Sequence, residues 1–196
     1  MKNILQLLTF LILFAGISLT ISGQDGKASK EDRKEQREWE KQKRKEEKEA
    51  QKEQMKKITK LMVDHHKFVL EADYLSDKYG TRVPVDHTIN FIMIDSLHGT
   101  IQFGSAWAAG YNGVGGATFN GNITKYKVSA FGKKKDSYNI QIIFMSSIGT
   151  YDISLMVGGD GNADASVRGN WSGQLNYHGR LVPLGISRVY KGHARY

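Results

Sequence analysis

The sequence predicts an all-β domain, an antiparallel up-and-down β-barrel or β-sandwich of about eight or nine strands, preceded by a charged N-terminal helix. Three observations lead there. Short runs from residue 67 onward alternate apolar and polar residues, the period-2 mark of strands buried on one face. Turn sequences rich in Gly and Asn separate these runs, with no helical pattern between them. Ahead of them, residues 30–60 contain neither Gly nor Pro and consist mainly of Glu, Lys, Gln and Arg, which are good helix formers.

The elements follow in order. Residues 1–24 read as an export signal: Lys2 gives the positive start, Ile4–Gly16 the apolar run, and Ser18–Gln24 a small, polar end. Cleavage is expected between Ser22 and Gln24; the alternative, an uncleaved anchor, rests on Ile21 being a poor residue just ahead of Gly23.

Residues 25–62 form a charged spacer in which opposite charges recur at helical spacing, as in Glu49, Lys52, Glu53 and Lys56. It lacks the apolar seam of a coiled coil, so a solvated helix and plain disorder both fit it. Met55, Ile58, Leu61 and Met62 add an apolar stripe where the helix should dock on the domain, which spans 63–191 and leaves 192–196 as a frayed tail.

Phe68, Leu70, Ala72 and Tyr74 mark the first strand, buried mainly on one face. Thr88–Asp95 is apolar on both faces and suits a central strand; Ser96–Gly99 turns into Thr100–Phe103. From Phe103 to Val128, glycines and aromatics alternate without proline, which reads as the centre of a strongly bent sheet with Asn112-Gly113 as a hairpin turn. A hairpin joins Lys125–Phe131 to Tyr138–Met145. Tyr151, Ile153, Leu155 and Val157 form the next buried face, Gly158–Asn162 a turn, and Ala163, Ala165 and Val167 the following strand. Trp171, Gly173, Leu175 and Tyr177 share the face of another, and Leu181–Pro183 is a short last piece.

Composition narrows the function. The formal net charge is +8, yet residues 25–60 mix 14 Lys/Arg with 10 Asp/Glu, so no single-signed stripe of the nucleic-acid kind exists. With no cysteine, disulfides, thiolate metal sites, cysteine nucleophiles and the lipid-anchored type of export precursor are excluded.

Chemical motifs are sparse. The six histidines show no helix-type metal spacing and read as solvent-exposed or loop residues; no metal and no cofactor is expected. Gly-x-Ser-x-Gly is absent. Gly113-Val114-Gly115-Gly116 lacks the helix and Lys-Ser/Thr of a phosphate loop, and Asp160–Asp164 lacks the Glu and helices of an EF-hand. The remaining candidates are aromatic: Trp107, Tyr111, Phe119, Tyr151, Trp171 and Tyr177. An eight-stranded barrel can fill with side chains or hold one small ligand, and inward glycines beside Trp107 and Tyr111 would leave room for one.

Ala117-Thr118-Phe119-Asn120-Gly121, Ile148-Gly149-Thr150-Tyr151-Asp152 and Gly169-Asn170-Trp171-Ser172-Gly173 resemble an exported Bacteroides-type family catalogued as domain of unknown function 4251. The resemblance spans about Phe68–Lys191 and implies export and a β-rich fold, with no catalytic or binding residue to carry over. Many members resemble lipoproteins, from which this chain departs by lacking the cysteine. The expectation is a periplasmic or secreted, non-enzymatic module that binds a small apolar ligand or an envelope protein. It excludes nucleic acid, and puts the chain at a membrane only through an uncleaved signal segment. The alternative is a structural or interaction protein acting through its charged helix.

Overall fold

A computed structural model describes residues 30–105, 113–133, 135–169 and 173–194, so the export-signal expectation lies outside the described residues. Helix α1 (Lys30–His65) is followed by β1 (Lys67–Ser76), β2 (Arg82–Pro84), β3 (Phe91–Asp95), β4 (His98–Phe103), β5 (Ala117–Phe131), β6 (Ser137–Ser146), β7 (Gly149–Val157), β8 (Asn162–Arg168) and β9 (Gln174–Pro183). The chain divides into two compact units between Arg44 and Lys45. In the first, the described helical side chains are exposed, and Lys43 Nζ lies 5.2 Å from the Trp39 ring centre.

The second unit holds a closed barrel. Eight antiparallel strands run in the order β1-β3-β4-β5-β6-β7-β8-β9, and β9 pairs back onto β1. The ninth strand, β2, takes the edge of β1 beyond β3: Lys67–Glu71 pair with β3, whereas Tyr74–Ser76 pair with Pro84–Arg82. Sequential hairpins make this the up-and-down form and not the sandwich. Curvature comes from irregular register at Ala72/Tyr74 in β1 and Ile123/Lys125 in β5, where bulges bend a strand and increase its twist. At the β1–β9 seam, a Cβ on Gly179 would overlap the Glu71 carbonyl oxygen, so only glycine permits this approach.

The lumen is filled by side chains. Ile101, Ile140, Ile142, Phe144, Ile153, Leu155, Ala165, Val167 and Tyr177 are buried in one cluster, and β7 and β8 alternate buried and exposed residues as expected. In the stretch expected as a bent sheet centre, β4 ends at Phe103 and β5 begins at Ala117, and residues 106–112, with the Asn112 of the expected turn, lie outside the described residues. Just ahead of β5, a Cβ on Gly116 would overlap the Phe103 carbonyl. Leu181–Pro183 continues β9 instead of forming a separate piece.

The C-terminal turns of α1 close one end of the barrel. Lys56 pairs with Asp136 in the β5–β6 turn (3.2 Å), Tyr126 Oη donates to the Val63 carbonyl (3.2 Å), and Ser96 N in the β3–β4 turn donates to the His66 carbonyl. The docking face differs from the expected stripe. Thr59, Met62 and Val63 are buried and Met55 partly so, while Ile58 and Leu61 remain 37% and 57% exposed. One helical face carries residues three or four apart, and the face chosen here is centred on Thr59. Helix α1 ends at His65, and His66 turns the chain into β1 with φ +54°.

The segment beyond β9 is also tied down as far as Gly192. Gln102 is fully buried, and its amide makes four hydrogen bonds: Nε2 donates to the Ile89 (3.1 Å) and Tyr190 (2.8 Å) carbonyls, and Oε1 accepts from Thr118 Oγ1 (2.9 Å) and Gly192 N (2.8 Å). Ser187 Oγ bonds Glu71 Oε1 at 2.6 Å. Phe91 pairs with both Glu71 and Gln102, so this strap runs over it on the outer wall. That explains why β3 is apolar on both faces: Ile92 and Ile94 face the lumen, and Phe91 is buried beneath the strap.

Candidate functional site

The helix meets the β3–β4, β5–β6 and β7–β8 turns, which leaves the ends of β4, β6 and β8 and the starts of β5, β7 and β9 at the opposite mouth. There, Leu75, Val83, Pro84, Val85, Asp86, Gly104 and Ser105 line a groove of about 580 Å3. Leu75 and Val83 are opposed residues of β1 and β2, so strand pairing brings their side chains to one face. Leu75 and Val85, which line the groove, also pack against the core, as do Phe103, Ala117 and Leu175.

Two Asx turns shape the rim. Asp77 Oδ1 accepts from Tyr79 N (2.9 Å) and Thr81 N (3.0 Å), and Asp86 Oδ1 accepts from Thr88 N (2.9 Å) and Thr88 Oγ1 (2.7 Å). These bonds favour the ionised form and hold both carboxyls below the usual carboxylate range.

Of the predicted ligand residues, Phe119, Tyr151 and Tyr177 are buried in the lumen as packing groups. Phe119 stacks between Phe103 (ring centres 6.1 Å apart) and Tyr151 (5.3 Å), and Phe144 lies 5.8 Å from Tyr151. Tyr177 Oη donates to the Gln102 carbonyl at 3.2 Å, and burial pushes the phenols of Tyr177 and Tyr151 up, keeping them neutral. These rings occupy the space a luminal ligand would need. Trp107, Tyr111 and Trp171 lie outside the described residues; by chain position they belong to the β4–β5 and β8–β9 connections.

A second constellation was missed in the sequence. On the outer wall across the β1–β9 seam, one chain of hydrogen bonds runs in a single direction. Arg168 Nε donates to Gln174 Oε1 (3.0 Å), Gln174 Nε2 to Asn176 Oδ1 (2.7 Å), and Asn176 Nδ2 to Ser76 Oγ (3.3 Å) and the Asp77 carbonyl (3.0 Å). Ser76 Oγ lies 2.9 Å from His178 Nε2, and His178 Nδ1 lies 2.6 Å from Asp164 Oδ1. His178 is therefore neither a loop residue nor unpartnered. Register alone assembles the set, because β9 places His178 opposite Asp164 on one side and Asn176 opposite Ser76 on the other. Ser76 and His178 are 102 positions apart, and no spacing motif marks such a meeting.

His98 is likewise bonded, with Nδ1 2.9 Å from Asn122 Oδ1, and the His66 ring lies over Tyr126. Among the described residues no group of three or more His, Asp or Glu is arranged to hold a metal ion, and no helix is long and apolar enough to cross a membrane.

The family model for "Domain of unknown function (DUF4251)" matches residues 48–181, from the last turns of α1 to the end of the barrel. The chain belongs to this family. A crystal structure of a DUF4251 family protein from Bacteroides eggerthii DSM 20697 is similar to it, with 26% identity and a TM-score of 0.56, covering 67% of this chain and 89% of that one. No curated protein matches. The family match begins inside α1, so the helix turns that close the barrel fall within it, whereas residues 30–47 precede it.

Proposed function

We propose that this chain is an envelope binding module that takes a small apolar ligand, or an apolar segment of an envelope protein, at the barrel mouth opposite the helix. The apolar groove of about 580 Å3 at that mouth carries the reading. Barrel mouths are common ligand sites, and a mouth lined by Leu75, Val83, Pro84 and Val85 favours an apolar occupant. Supporting it, the lumen is packed with aromatic and aliphatic side chains and the other end is closed by Met62 and Val63. The ligand therefore binds at the rim, beside Leu75, Val83 and Gly104, and not deep in the barrel. Export to the periplasm or the exterior follows from the Lys2-led apolar leader.

Native mass spectrometry of protein purified from its own host tests this. A co-purifying apolar molecule or partner, lost on substituting Val83 by Asp, is the expected result; repeatedly bare protein counts against it.

One observation favours a second reading, in which the helix is the interacting element. Every side chain from Asp32 to Gln54 is exposed, a longer charged surface than closing the barrel requires. Deleting residues 25–50 spares the turns that close the barrel; unchanged oligomeric state and location would exclude this reading.

A further inference from the structure

The relay at the barrel seam has the connectivity of an activated serine. Asp164 carboxylate only accepts, so the neutral His178 ring keeps its proton on Nδ1 and presents the Nε2 lone pair to Ser76, whose hydroxyl must then donate to it. A base within hydrogen-bond reach of a hydroxyl, itself oriented by a carboxylate, is the arrangement that makes serine nucleophilic, whatever the fold that carries it. Asn176 Nδ2 donates to Ser76 Oγ at 3.3 Å and to the Asp77 carbonyl at 3.0 Å, which leaves the Ser76 hydroxyl proton for His178. Simple barrel closure needs none of this, since the backbone ladder from Phe68 to Ser76 already joins β1 to β9.

We propose that Ser76 is an acyl-accepting nucleophile, with His178 as its base and Asp164 orienting the ring, and that it reacts with small activated esters. Ser76 Oγ attacks the ester carbonyl while its proton passes to His178 Nε2, and the imidazolium is held by Asp164. Collapse of the tetrahedral adduct breaks the bond to the alkoxy oxygen, which leaves as the alcohol with the proton from His178. Water, deprotonated by His178, then attacks the acyl-serine, releases the carboxylic acid and restores the Ser76 hydroxyl. The acyl group is small because Ser76 is only 5% exposed. This activity goes beyond ligand binding at the mouth and uses the opposite face of β1: Leu75 faces the groove and Ser76 the outer wall.

The test incubates the full chain with p-nitrophenyl acetate and maps acetylated peptides by mass spectrometry. Acetyl transfer to Ser76 is expected, absent in Ser76→Ala. Asp164→Asn alters a residue whose side chain is 69% exposed, so the barrel should stay folded, which circular dichroism checks. Its amide donates to Nδ1, moves the ring proton to Nε2 and removes the base, so labelling should fall by about a hundredfold or more. Folded wild-type protein that shows neither acetylation at Ser76 nor p-nitrophenol release above that of Ser76→Ala, or labelling and release both undiminished in Asp164→Asn, would overturn the proposal.

Discussion

Replacing Gln102 by Ala removes the amide that joins the outer wall to the C-terminal strap. Four hydrogen bonds of 2.8–3.1 Å are lost together, and the Thr118 hydroxyl, Gly192 N and the Ile89 and Tyr190 carbonyls lose a partner. At about 1 kcal/mol net per bond the cost is about 4 kcal/mol, a large part of the stability of an ordinary domain. For a domain of this size that lowers Tm by roughly 8–16 °C. Urea unfolding followed by circular dichroism measures the difference, and limited proteolysis shows whether residues beyond Pro183 become cleavable in the variant. A loss below about 1 kcal/mol, with the segment still protected, would refute the claim that Gln102 anchors the strap.

Two further outcomes follow from the same geometry. Gly179→Ala pushes a methyl group into the Glu71 carbonyl at the closing seam and should cost about 1–3 kcal/mol in urea unfolding; an unchanged midpoint would mean the seam is looser than described. Burial raises the phenol pKa of Tyr126 and of Tyr177, so the folded state favours their neutral forms. That contribution is complete below the ordinary phenol value of about 10 and is lost as pH rises above it. In an alkaline titration, ultraviolet absorbance should show these two tyrosines ionising only as circular dichroism is lost; complete tyrosine ionisation in a folded barrel would contradict it.

Much of the barrel was legible because its strands obey one rule. Tyr151, Ile153, Leu155 and Val157 face a lumen while Asp152, Ser154 and Met156 face solvent, so β7 is written directly in the alternation. The rule fails where a second layer covers the outer wall: Phe91 is buried by a strap whose own sequence is not apolar enough to announce itself, and Gln102 reads as an ordinary outward polar residue. The helix face was misplaced because Thr59 is buried while the more apolar Ile58 and Leu61 are exposed, a choice made by the barrel end and invisible in the helix alone. For the site, aromatic alternation gave no means of separating packing from binding: Phe119, Tyr151 and Tyr177 pack in the core, and Trp107, Tyr111 and Trp171 lie outside the described residues. Ser76, Asp164 and His178 were unreadable for a different reason: their meeting depends on the register of three strands.

The most direct test of binding at the mouth is a fluorescence titration with a dansyl-labelled fatty acid, comparing the wild type with Val83→Asp. Val83 is 55% exposed, so the substitution leaves the core intact while placing a charge on the groove wall. The account predicts saturable binding by the wild type, weakened about tenfold or more in the variant because the charge must be desolvated beside an apolar ligand. No saturable binding, or equal affinity in the two proteins, would contradict it.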